Sequence, residues 1–161
     1  MDSGITFQEF LEYTRQETRR WRDWFTAHPE VLDVSCDIAK AGTVRALLLH
    51  VFTTELFFAH ALLDQPKPDW ESLRPAKVDE LFGINDEAHH MFQEFLAKAN
   101  VENWNAIIEL GVGGLKASKR KMLAQALLHG VHHRGQLATF LRQQGFDGMW
   151  VHDLILTNVM E

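Results

Sequence analysis

The stretch Leu127–Gly145, LLHGVHHRGQLATFLRQQG, places three histidines within five residues of a pattern with helical periodicity. Ser118 is a good N-cap upstream, and Gly145 suits the left-handed position at which helices end. The spacing therefore predicts one long helix from Ser118 to Gly145. It is the last of four long helices that the sequence predicts.

Three upstream segments complete this set of long amphipathic helices. Thr6 and Glu9 form a capping box before the first, Thr43 can cap the second, and Gly83 and Asn85 could kink or split the third. The predicted ranges are Phe7 to about Ala27, Thr43 to about Leu63, and the periodic segment Lys77–Ala99.

The links between the helices also have local signals. Pro66 and Pro68 stop the second helix, because proline cannot continue one. Ile107, Ile108 and the glycine-rich turn Gly111–Gly114 predict a small β-hairpin before the last long helix. A short final helix is predicted over His152–Val159. Four long helices in one chain favour an all-α four-helix bundle, with a single domain over residues 1–161.

The composition limits the functions that the chain can have. The 161 residues carry a net charge of −6, which disfavours binding to nucleic acid, and the 46% hydrophobic content suffices for one core. Cys36 is the only cysteine, so no intrachain disulfide can form. The apolar second helix contains Arg45 and Glu55 and is therefore expected in the core of a cytoplasmic protein without a membrane partner.

The histidines of the last helix point in different directions. A helix turns about 100° per residue, so His133 lies about 40° from His129, and both border the apolar face. His132 points about 60° the other way and is expected to be peripheral. Two histidines one turn apart can reach one metal ion, although partly buried histidines hydrogen-bonded to backbone would give the same pattern.

A third candidate ligand, His50, lies in the middle of the most hydrophobic helix. A polar group there needs a partner. If the second and last long helices pack together, His50 can face His129 and His133, and three neutral imidazoles plus water make the open geometry of a catalytic metal site. Alternatively, His50 hydrogen-bonds Thr54, another helix or water.

Other polar residues are expected to have structural or surface roles. His89 and His90 are predicted at the surface or rim of the third helix. Carboxylates such as Glu55 and Glu109 are candidate bases, although a carboxylate is more often a solvated or paired surface group. His152, close to Trp150 in sequence, could line a pocket or a subunit interface. Nothing local indicates a Ser/His/Asp or Cys/His nucleophile.

The strings HGVHHRGQLATFLRQQG and TVRALLLHVFTTELFF, with the hairpin between the third and fourth long helices, resemble the DinB-like superfamily over essentially the whole chain. The resemblance implies an up-down-down-up four-helix bundle that binds a divalent ion through His50, His129 and His133. It implies nickel or zinc foremost, with manganese or iron as alternatives. It also implies a homodimer.

The resemblance further implies a small-molecule substrate. Some similar proteins are transferases that use a low-molecular-weight thiol such as bacillithiol or mycothiol, which predicts S-transfer to an electrophile. A metal-dependent hydrolase and a non-catalytic metal-binding stress-response protein are the alternatives. Two further motif residues are Arg134, expected in packing or an inter-helix ion pair, and Gln136, expected either to contact a metal ligand or to lie at the surface.

Overall fold

A computed structural model of the chain describes residues 4–110 and 113–160, and it is mostly helical. Its helices are α1 (Phe7–Ala27), α2 (Val44–Leu62), α3 (Val78–Lys98), the short α4 (Val101–Asn105) and α5 (Lys119–Gln143). Two antiparallel strand pairs accompany them, β1 (Ser35–Cys36) with β2 (Gly42–Thr43) and β3 (Ile107–Glu109) with β4 (Lys116–Ser118). The all-α prediction and the predicted hairpin before α5 are therefore confirmed.

Local side-chain chemistry sets the helix ends, as predicted. The backbone N–H of Glu9 donates to Thr6 Oγ1 at 3.2 Å, and the Glu9 carboxylate accepts from the Thr6 N–H at 2.7 Å. At the starts of α2 and α5, the hydroxyl oxygens of Thr43 and Ser118 accept from the backbone N–H groups of Ala46 and Lys121. Gly145, just beyond α5, has a φ of +86°, which residues with a side chain rarely adopt. The predicted starts of α1, α2 and α5 are confirmed.

Three details differ from the sequence predictions. α3 continues through Gly83 and Asn85 without a break, since the intrahelical pattern on either side outweighs one poor helix former. The helix α4 was not predicted, and a single 3₁₀ turn, Leu154–Leu156, replaces the predicted helix over His152–Val159. Of the predicted Gly111–Gly114 turn, residues 111 and 112 lie outside the described residues.

Each long helix packs against two others: α2 lies on α3 and α5, and α1 lies on α3 and α5. At the start of α2, Arg45 Nη1 donates to the carbonyl of Ala76, just before α3, at 2.7 Å. At the end of α2, the carbonyl of Leu62 accepts from the buried Lys119 ammonium at the start of α5, at 2.8 Å. Both ends of α2 are thus tied to neighbouring helices.

The hydrophobic core draws on all four long helices. Its largest fully buried side chains include Trp21, Phe25, Phe52, Phe82 and Phe92. By length and composition alone α2 could cross a membrane, and 44% of its most apolar window is buried inside the protein. Because α2 packs on two helices and carries a fully buried carboxylate, its position is that of a core helix in a globular domain.

Candidate metal centre

Three histidines from two helices converge where α2 packs on α5. Each of His50, His129 and His133 offers a ring nitrogen, and these three atoms all lie within 4.8 Å of one another. The His50 ring centroid lies 5.1 Å from that of His129 and 5.3 Å from that of His133, and the other two are 4.5 Å apart. The structure thus brings together the three predicted residues in a group that could bind a metal ion.

Exposure increases across this three-histidine group. The His133 side chain is buried, with 8% of the residue exposed, His129 is half-buried, and His50 is exposed. His50 faces His129 and His133 as predicted, but the core position expected from its apolar helix was wrong, because α2 turns this face to the protein surface. His132 is exposed and lies beside His133, at a ring distance of 5.1 Å, consistent with its predicted peripheral position.

Two histidines of the group, His129 and His133, are neutral at pH 7 because their pKa values are lowered. Burial, together with the neighbouring His133 and His50 rings, lowers the pKa of His129 from 6.5 to about 4. Burial also lowers the pKa of His133, against a hydrogen bond to Gln136 that raises it. Metal binding requires unprotonated imidazole, so these two candidate ligands are in the required form.

Two observations test whether the group fits a metal ion. His133 Nδ1–H donates to Gln136 Oε1 at 2.8 Å, which leaves the Nε2 lone pair free to coordinate. The Nδ1 of His129 is buried and has no hydrogen-bond partner among the described residues. A buried unpaired nitrogen is costly, and a bound ion or water in the group would compensate. Both observations fit a metal ion. Gln136 contacts the candidate ligand His133 and is itself exposed, so its position agrees with both roles expected for it.

A buried polar cluster lies beside this group. Glu55 of α2 is 0% exposed, Asn85 Nδ2–H donates to its Oε2, and His89 Nε2 lies 3.7 Å from the same oxygen. Arg134 of α5 lies 3.9 Å from Glu55 Oε1 and donates to Thr18 Oγ1 of α1 at 2.8 Å. All four long helices therefore meet at one charged cluster.

This cluster corrects two sequence predictions and confirms one. Glu55 and His89 were expected at the surface but are buried, whereas the inter-helix ion pair predicted for Arg134 is present. A signal for Glu55 was available, because its neighbours one turn away on either side are apolar: Val51, Phe52, Phe58 and Ala59. A lone carboxylate inside such a pattern indicates burial with a partner.

Gly130 lets α5 approach Glu55. A Cβ at this position would overlap Glu55 Oε1 and lie 2.7 Å from Arg134 Nη2. Gly130 follows His129 directly and precedes His133 by three residues, so the contact with Glu55 fixes the turn of α5 that carries both histidines. The buried cluster thus holds two of the candidate ligands in place relative to α2.

The pH dependence of stability should report on His89. Burial lowers its pKa from 6.5 to about 3, with Arg134 and Arg15 adding repulsion, so the unfolded chain binds this proton and the folded chain does not. As the pH falls from 6.5 to 5, protonation of His89 in the unfolded chain should lower the free energy of unfolding by about 2 kcal/mol.

Glu55 acts in the opposite direction. Burial raises its pKa from 4.5 to about 7, so its contribution to stability is lost as the pH rises through that range.

Urea unfolding of the wild type and of His89→Gln at pH 7.5 and 5 separates the contribution of His89 to the free energy of unfolding from that of Glu55. We expect the variant to lose about 2 kcal/mol less than the wild type on acidification. Equal losses would contradict a neutral buried His89.

His152 belongs to a different cluster, on α1. Its Nδ1–H donates to Glu17 Oε2 at 2.6 Å, and Trp150 Nε1–H donates to the same carboxylate at 3.1 Å. Tyr13 donates to the His152 carbonyl at 2.7 Å. These bonds attach the segment that follows α5 to α1. Trp150, but not His152, lines a cavity of about 580 Å³ beside Trp24.

A mostly helical fold with a three-histidine group at its surface defines a class of small helical proteins able to bind a metal ion. Within that class, the sequence model of the DinB family matches residues 1–157. The chain belongs to the DinB family. A comparison with curated proteins finds no significant match.

Proposed function

We propose that the chain is a single-domain metalloenzyme of the DinB family over residues 1–161, built as an up-down-down-up four-helix bundle. Contacts between the ends of the helices support these helix directions. α2 starts beside the start of α3, through Arg45, and ends beside the start of α5, through Lys119. Phe7 at the start of α1 stacks on Trp104, beyond the end of α3, at 5.2 Å. α1 and α5 then run opposite to α2 and α3.

In this proposal His50, His129 and His133 ligate a divalent ion. Imidazole ligands suit nickel and zinc, with manganese or iron as alternatives. A bound divalent ion lowers the pKa of a thiol or water that it holds and so supplies a nucleophile at neutral pH. Gln136 holds the His133 ring in the tautomer with a free Nε2, and the Glu55–Arg134 pair positions α5.

The proposed reaction is transfer of a low-molecular-weight thiol, of the bacillithiol or mycothiol type, to an electrophilic small molecule. A carbon–sulfur bond forms, the bond from that carbon to the leaving group breaks, and the leaving group takes the electron pair while the thiol proton passes to solvent. The observation that carries the proposal is the exposed His50 edge of a group whose other two members are half-buried and buried. It leaves an open side where three protein ligands can share an ion with a substrate.

A thioether assay tests this function. Tag-free, metal-loaded protein is incubated with 1-chloro-2,4-dinitrobenzene and with bacillithiol, mycothiol or cysteine, and thioether formation is followed by absorbance and mass spectrometry. We expect turnover that needs both metal and thiol, is lost in His129→Ala and is kept in His132→Ala. Hydrolysis without thiol would replace the transferase by a metal-dependent hydrolase. A metal-loaded protein inactive in every assay would contradict an enzyme and favour a metal-binding stress-response protein.

The proposed setting is the cytoplasm, with a small-molecule substrate, a homodimeric assembly, and no nucleic-acid or membrane partner. The net charge of −6 argues against a nucleic-acid partner, and the core position of α2 argues against a membrane partner. Light scattering on the purified protein measures the oligomeric state directly.

A further inference from the structure

A second feature of the surface lies next to the three-histidine group. A cavity of about 460 Å³ opens between the second half of α2, the segment before α3 and the β3–β4 hairpin. We call it the α2 cavity. The residues that line it include Thr53, Thr54, Phe57, Lys67, Trp70 and Leu115.

The α2 cavity shares the helix face that carries His50. Thr53 and Thr54 follow His50 by three and four residues, and Phe57, two turns on, lies about 20° from His50 around the axis. The cavity therefore begins about 4.5 Å along α2 from His50. A molecule seated in it can extend one end to the three-histidine group.

The walls of the cavity are mostly apolar and aromatic. The Phe57 ring lies 5.5 Å from Phe58 and 6.2 Å from Trp70. The hydroxyl protons of Thr53 and Thr54 are used within the helix, since they donate to the carbonyls of Leu49 and His50 at 2.7 Å each. Such walls favour an aromatic or other bulky apolar group, and the volume lies in the range of small-molecule sites.

Lys67 adds one positive charge to these walls. Its ammonium lies 5.8 Å from the centre of the Phe57 ring. The two carboxylates that line the neighbouring cavity pair with other lysines: Asp64 pairs with Lys119 at 2.6 Å, and Glu109 with Lys116 at 3.5 Å. Lys67 therefore places a positive charge at the edge of the aromatic walls.

We infer that the α2 cavity binds the electrophilic substrate, and that this substrate is a small aromatic molecule with an anionic group such as a carboxylate or sulfonate. The aromatic walls take the ring, Lys67 takes the anion, and the open His50 side takes the reactive end. The inference rests on the proposed function, because it assigns a substrate to the same site.

Binding of 1-anilinonaphthalene-8-sulfonate, an aromatic sulfonate, tests the inference without turnover. Fluorescence titration of the wild type should show one saturable site per chain. We expect Lys67→Gln to raise the Kd at least about tenfold, because the anion loses its cation, and Trp70→Ala to weaken binding through lost aromatic area. The matched control Lys121→Gln changes an equally exposed lysine on α5 and should leave the Kd unchanged.

The neutral analogue N-phenyl-1-naphthylamine should bind the wild type and Lys67→Gln with the same Kd, since only the charge differs. His129→Ala should keep probe binding within about twofold while metal content is measured on the same sample. The inference is overturned if the wild type shows no saturable site, or if Lys67→Gln binds the sulfonate as tightly as the wild type. If His129→Ala loses metal but keeps probe binding, the three-histidine group binds the metal and the α2 cavity binds the probe independently of it.

Discussion

Gly130→Ala is expected to destabilise the protein by roughly 2–4 kcal/mol. The added methyl would overlap the Glu55 carboxylate, and this carboxylate cannot move into solvent because its residue is fully buried. Displacing it disturbs the contacts with Asn85 and Arg134, and breaking a buried ion pair typically costs about 3–5 kcal/mol. The intrinsic preference of alanine over glycine in a helix offsets about 1 kcal/mol of this loss.

Gly135→Ala is the matched control on the same helix. Gly135 is exposed, and a Cβ there meets nothing within 4 Å, so the same substitution should stabilise the protein by up to about 1 kcal/mol. Urea unfolding at pH 7.5 measures both changes. If Gly130→Ala is as stable as Gly135→Ala, the close approach of α5 to Glu55 is not a constraint on this fold.

The sequence predicts the parts of the fold that local chemistry determines. The capping residues Thr6, Thr43 and Ser118 satisfy backbone donors within their own helix, so the starts of α1, α2 and α5 follow from a few neighbouring residues. The angular position of His129 and His133 on α5 is also local. Each of these features could be predicted because it needs no knowledge of the neighbouring helices.

The buried cluster could not be predicted in the same way. Glu55 and His89 are polar residues that the sequence places at the surface by default, and only the packing of α2 on α3 and α5 brings Asn85 and Arg134 to them. The exposed position of His50 was missed for a related reason. Apolar neighbours along a helix do not show which of its faces the other helices leave uncovered.

The second large expected effect is the loss of metal affinity when the histidines of the group are replaced. Replacing His50, His129 or His133 by alanine would remove one of the three proposed ligands, and each change should weaken metal binding by more than the roughly 10- to 100-fold that loss of an outer-shell partner costs. Gln136→Ala should have that smaller effect, because Gln136 only orients the His133 ring. Equilibrium dialysis against nickel and zinc buffers measures these affinities.

His132→Ala is the control for this series, because His132 is an exposed histidine on the same helix and outside the three-histidine group. It should bind metal like the wild type. If His132→Ala lost metal as completely as His133→Ala, the ligand set would differ from the one proposed.

Elemental analysis of the purified, tag-free protein beside these variants tests the central claim most directly. The proposed site predicts about one divalent ion per chain in the wild type and in His132→Ala, and none in His50→Ala, His129→Ala or His133→Ala, with all five proteins folded. A folded wild type that carries no metal and takes up none from nickel, zinc, manganese or iron solutions would contradict the metal site and the function built on it.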